Sequence, residues 1–125
     1  MTIRATGRTL PELFVSAAAG MFGVMVADPK TLNREGEFSR AVTVKAMDTE
    51  SLLVEWLTEL LGIVDLENVY LEKFKITELR DRELTAQLSG VHVDGFSTEI
   101  KAVPYHGLEI EQTPQGYSAE IGFDT

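Results

Sequence analysis

Cysteine is absent from the 125 residues, which excludes disulfides and thiolate metal sites. Histidine is nearly as scarce. His92 and His106 are the two, and neither has the i, i+4 partner of a helical zinc site. Basic residues number 11 against 20 acids, so the net charge is -9 and the pI is near 4.6. Such a surface repels a phosphate backbone, so direct nucleic-acid binding through bulk charge is not expected. Cations and basic protein partners suit it better. No apolar run is long enough to cross a bilayer; the longest, Phe14 to Ala27, amounts to about three to four helical turns. No secretory signal is evident, because Arg4 and Arg8 are followed by Pro11 and Glu12 rather than an apolar stretch. A soluble cytoplasmic protein with no membrane partner is the expectation. The G-x-S-x-G elbow, the P-loop and the dinucleotide fingerprint are also missing.

What is present is enough for a core. Hydrophobic residues make up 44% of the chain and are spread along all of it, which predicts one domain over residues 1–125. Thr2 to Gly7 reads as a strand. Thr9-Leu10-Pro11-Glu12 has capping-box spacing, and apolar residues then recur at three- and four-residue intervals from Leu10 to Met25. Asp28-Pro29 should end that helix, and Lys30 to Gly36 reads as a polar loop. Phe38 to Met47 alternates as a strand does. Asp48 or Thr49 opens a second helix, with Leu52, Leu53, Trp56, Leu57, Leu60, Leu61 and Val64 on its apolar face. Val69 to Glu78, Leu84 to Val91, Thr98 to Glu111 and Gly116 to Phe123 read as further strands, with turns at Asp81-Arg82, Asp94-Gly95 and Thr113 to Gly116. The order predicts an α+β fold: two helices packed on a mostly antiparallel sheet.

Few residues stand out chemically. His92 in a predicted turn and His106 before Gly107 read as loop histidines. Glu109 and Glu111 share one strand face, but without an acid–base partner they read as solvated charge rather than a glycosidase pair. Trp56 and the methionines read as core. Lys101 sits mid-strand, three residues before Pro104, which argues for an edge or a bend there. Lysine on an edge guards against aggregation; the other reading is a positioned ammonium near an acidic metal site. Asp124-Thr125 follows the alternating run Tyr117, Ala119, Ile121, Phe123. Carboxylate and carbonyl oxygens gather there, as hard cations such as Ca²⁺ prefer. The plain alternative is a frayed, solvated tail.

Several blocks together resemble the archease family. They are Gly7-Arg8-Thr9-Leu10-x-Glu12-Leu13-Phe14 with Ala18-x-Gly20-Met21-Phe22, then Leu52 to Trp56 with Leu57-x-Glu59-Leu60-Leu61, then Glu99-Ile100-Lys101-Ala102-Val103-x-Tyr105-His106-Gly107-Leu108, and last Phe123-Asp124. Their order and spacing run over essentially the whole chain. The resemblance implies a small acidic α+β protein that activates the tRNA-splicing RNA ligase. It would promote guanylylation and multiple turnover, broaden nucleotide use, and catalyse nothing itself. It also implies a divalent cation, Ca²⁺ or another such as Mg²⁺, held by Asp124 and Thr125, and a role for Lys101 in activation. A third ligand is implied, an aspartate of a His-x-x-Asp segment directly before the strand that here reads Thr2-Ile3-Arg4-Ala5. That segment is absent, and the aspartate would fall immediately before Met1. A start upstream of Met1 is the expectation; a short form lacking one ligand is the alternative. Two other functions compete. One is a chaperone-like module for RNA-processing enzymes with a purely structural metal. The other is a hydrolase using Asp124, Lys101 and His106, disfavoured because no nucleophile–base pair is visible.

Overall fold

The structure is a computed structural model that describes residues 1–25, 30, 32–104 and 107–125, the side chain of Arg34 excepted. Its elements run β1 (Thr2–Gly7), α1 (Leu10–Met25), β2 (Leu32–Lys45), α2 (Thr49–Glu67), β3 (Val69–Leu79), β4 (Glu83–Val93), β5 (Ile110–Thr113) and β6 (Gly116–Gly122).

Both helices begin where short polar side chains cap them. Thr9 Oγ1 accepts from Glu12 N at 3.3 Å, while the Glu12 carboxylate reaches back to Arg8 N at 2.7 Å. This is capping-box chemistry with the return bond one residue early. Asp48 caps α2 by accepting from Ser51 N at 2.7 Å. Those backbone and side-chain contacts with Ser51 hold the Asp48 carboxyl below the usual aspartate range. Asn68 ends α2 in the left-handed region, φ 53°, and its N–H returns to Val64 O at 2.9 Å. Asparagine tolerates that conformation better than most residues.

The strands pair antiparallel throughout, in two three-stranded sheets ordered β1-β6-β5 and β2-β4-β3. The expected α+β class with two helices on antiparallel strands therefore holds. The buried stripe of α1 runs Leu13, Phe14, Ala17, Ala18, Met21, Phe22, Met25, as its periodicity predicts. It meets Leu52, Trp56, Leu57 and Leu60 of α2 and the inward faces of both sheets in one core. Trp56 is fully buried, and its indole N–H donates to Phe14 O at 3.0 Å, tying α2 to α1. Gly116, φ +138°, closes the β5–β6 hairpin against Gly7 and Arg8, so closely that an added Cβ would collide with the Gly7 carbonyl.

Three expectations need correction. β2 begins at Leu32, inside the segment expected to be loop, because Asn33 Oδ1 accepts from Glu35 N and Gly36 N. That local turn sits in the strand as an irregularity between Asn33 and Glu37, with pairing to β4 on both sides of it. Second, His92 lies in β4, opposite Asn33 and Val69, with its ring 6.5 Å from that of Phe38. Third, Thr98 to Glu111 is not a continuous strand. Among the described residues, regular pairing starts at Ile110, and upstream of it a single bridge joins Ala102 to Asp124. Pro104 cannot donate to a ladder, and Gly107 turns the chain with φ +79°. The helix end expected at Asp28-Pro29, and His106, lie outside the described residues.

Candidate functional site: the clamped Asp124 and Lys101

β6 carries the alternation that its sequence shows. Ala119, Ile121 and Phe123 are buried, while Glu120, Gly122 and Asp124 are exposed. The chain after β6 is not left to fray. Phe123 N donates to Met1 O at 2.8 Å on one side. On the other side Lys101 N donates to Asp124 O at 2.7 Å, and Asp124 N donates to Ala102 O at 2.9 Å. Three stretches distant in sequence thus meet at Asp124, and its main chain is fixed without help from its side chain. Ile100 and Val103, both 5% exposed, anchor the 100–103 segment in the core from either side of this bridge.

Lys101 and Asp124 are therefore brought together through their backbones, with both side chains exposed. No ion pair joins them among the described residues. Lys101 is not mid-strand as expected: it lies in no strand, and its main chain bonds to Asp124 beyond the end of β6. Thr125 is exposed next to Asp124. Among the described residues no group of three or more histidine, cysteine or acidic side chains converges to hold a metal. Asp124 and Thr125 offer carboxylate, carbonyl and hydroxyl oxygens, the right chemistry for Ca²⁺ or Mg²⁺. They fall short of the roughly six to eight oxygens Ca²⁺ takes.

The other candidates separate from this place. Glu109 and Glu111 line a recess of about 110 Å³ on the outer face of the β1-β6-β5 sheet. Arg4 crosses it, donating to Glu120 Oε1 and to Ser118 Oγ, each at 3.1 Å. Glu111 pairs with Ser118 in register, so the two acids belong to this sheet face. Exposed at 58% and 64%, the Arg4–Glu120 pair is a weak surface contact. The carbonyls of Met1 and Ala102, which position Asp124, went unrecognised in the sequence. Main-chain groups leave no mark in residue type, so no local signal could have found them.

The Archease protein family (MTH1598/TM1083) matches the chain over residues 1–125. Protein archease of Methanosarcina acetivorans is 39% identical over 128 residues, covering 96% of this chain and 86% of that one. Protein archease of Pyrococcus abyssi is 35% identical, covering 91% and 83%. The solution structure of Methanobacterium thermoautotrophicum protein 1598 superposes with a TM-score of 0.69 at 30% identity, covering 99% of this chain and 89% of that one. The crystal structure of an archease from Thermotoga maritima, described as a possible chaperone, gives 0.70 at 17% identity, covering 100% and 90%. At that identity it supports the fold alone. Among the described residues no helix is long and apolar enough to cross a membrane. Fold, full-length match and curated relatives agree: this chain belongs to the archease family.

Proposed function

We propose that this protein activates the tRNA-splicing RNA ligase, promoting its guanylylation and multiple turnover and broadening the nucleotides it uses, without catalysing a reaction itself. The observation that carries the reading is the clamp on Asp124. A carboxylate and an ammonium, Asp124 and Lys101, are exposed side by side on a main chain fixed by three hydrogen bonds. Preorganised charge of this kind is the main resource in phosphoryl and nucleotidyl transfer, because it need not reorganise when the reacting charges move. Presented to a partner's nucleotide pocket, Lys101 would act as a point charge on phosphate oxygens.

Asp124 and Thr125 are proposed as oxygen donors to Ca²⁺ or Mg²⁺ in a shell that this chain's described residues leave incomplete. The β1–β6 register supports the location of a further donor. Pairing runs from Gly7↔Tyr117 to Thr2↔Gly122, and the Phe123 N–H on Met1 O continues it by one step. The next step sets the position before Met1 opposite Asp124. Cross-strand partners there stand roughly 4.5–5.5 Å apart at Cβ. An aspartate at that position would face Asp124.

The test is single-turnover guanylylation of the ligase at saturating activator. Lys101→Arg keeps charge and approximate length, but a planar fork does not replace a compact ammonium. It should impair activation almost as much as Lys101→Ala, with both variants folded. Wild-type rates with arginine would return Lys101 to protecting an edge. No stimulation by the wild-type protein itself would favour a chaperone-like role instead.

A further inference from the structure

The C-terminal end of α2 borders a cavity of about 230 Å³, which Met25 of α1 also lines. Met25, Leu61, Val64 and Ile100 form its floor, each at most 7% exposed, and Phe96 lines it too. Asp65 and Glu99 stand at its exposed rim. Neither makes an ion pair among the described residues. α2 has no basic residue in its last turn. Helix C-termini carry partial negative charge and favour cations, so Asp65 in the last turn of α2 adds charge of the unfavourable sign. Lys101, two residues beyond Glu99, is not among the lining residues.

We propose that this cavity receives an arginine side chain presented by a protein partner. The negative end of α2 and two carboxylates outside any ion pair among the described residues call for a cation. The apolar floor calls for a cation with an aliphatic stem, which excludes a bare metal ion. Phe96, held by its ring contact with Tyr70 at 6.4 Å, offers an aromatic surface on which a guanidinium packs well. Arginine is also less strongly hydrated than lysine and donates to two carboxylates at once through its fork. The inference does not rest on the Asp124 reading, since it needs neither a metal nor a ligase.

The experiment is an amide-resonance titration of the full chain, without metal, using a capped pentapeptide Ala-Ala-Arg-Ala-Ala. Saturable shifts are expected at Asp65, Asn68, Phe96 and Glu99. The same peptide with citrulline, neutral and of nearly equal shape, should leave them unmoved. Asp65→Asn and Glu99→Gln, both exposed and isosteric, should each weaken binding by roughly five- to tenfold, the effect of losing one charge-assisted contact. Equal shifts with citrulline, saturation at other residues, or unchanged affinity in both variants would overturn the proposal. Free arginine binding as tightly as the peptide would overturn the protein-partner assignment in favour of a small amphipathic cation.

Discussion

Replacing Trp56 by phenylalanine tests the joint between the two helices. The indole is fully buried, its N–H donates to Phe14 O at 3.0 Å, and its ring meets Phe74 edge-on at 6.3 Å. Phenylalanine keeps the aromatic contact and loses the hydrogen bond, at a net cost of about 1 kcal/mol. The Phe14 carbonyl lies within α1, where the helix ladder supplies its own donor, so no orphaned acceptor adds to this. The smaller ring leaves a void in a core that relaxes only in part, worth about 1–2 kcal/mol more. The total is about 2–3 kcal/mol. With unfolding entropy of about 2.1 cal/mol/K per residue, a 125-residue domain loses about 8–11 °C of Tm. Thermal unfolding followed by far-UV circular dichroism reads this directly, and needs no tryptophan signal. A drop of under about 3 °C would mean that the indole is neither bonded nor closely packed, and the helix–helix joint would have to be placed elsewhere.

Asp124→Ala should abolish ligase activation and leave Tm nearly unchanged, since both hydrogen bonds at that residue belong to its main chain; a large stability loss would show that the carboxylate itself holds the fold. Calorimetry with Ca²⁺ should give tighter binding for a chain carrying an aspartate directly before Met1 than for the 125-residue chain, because a second carboxylate raises both ligand count and charge; equal affinities would remove that position from the site. Asp48→Asn keeps an N-capping oxygen but not the titration. The folded-state pKa of Asp48 is depressed, so its charged-state contribution is full above the ordinary aspartate range and is lost as pH falls through the folded value. The stability gap between wild type and Asp48→Asn should therefore be larger at neutral pH than at pH about 3, by denaturant midpoints; a gap independent of pH would show that Asp48 caps without its charge.

The helices were legible because their signals are local. Thr9 and Glu12, or Asp48 and the leucines after it, lie within a turn or two of what they control. β1, β3 and β4 were also read as strands, and β6 was legible through the alternation of Tyr117, Ala119, Ile121 and Phe123. Two places were not. Lys30 to Gly36 is polar enough to read as loop, yet Asn33 folds its own neighbours into a turn that the strand absorbs. Thr98 to Glu111 has strand composition, but Pro104 and Gly107 deny it a ladder, and the bridge at Ala102 is to Asp124, far along the chain. The candidate site divides likewise. Residue types at Asp124 and Lys101 pointed to ions, and the family blocks named their neighbours. That the two meet depends on pairing between residues 101–102 and 124, and no local pattern encodes such a pairing.

The β1-β6-β5 sheet has a consequence for synthesis. β1 is made before the other described elements, yet its partner among the strands is β6, which is made after everything between them. Until β6 arrives, β1 is an unpaired strand, and the groups that fix Asp124 are scattered. The charges at Asp124 and Lys101 are thus brought together only when β6 has been made and the bridge between residues 102 and 124 has closed.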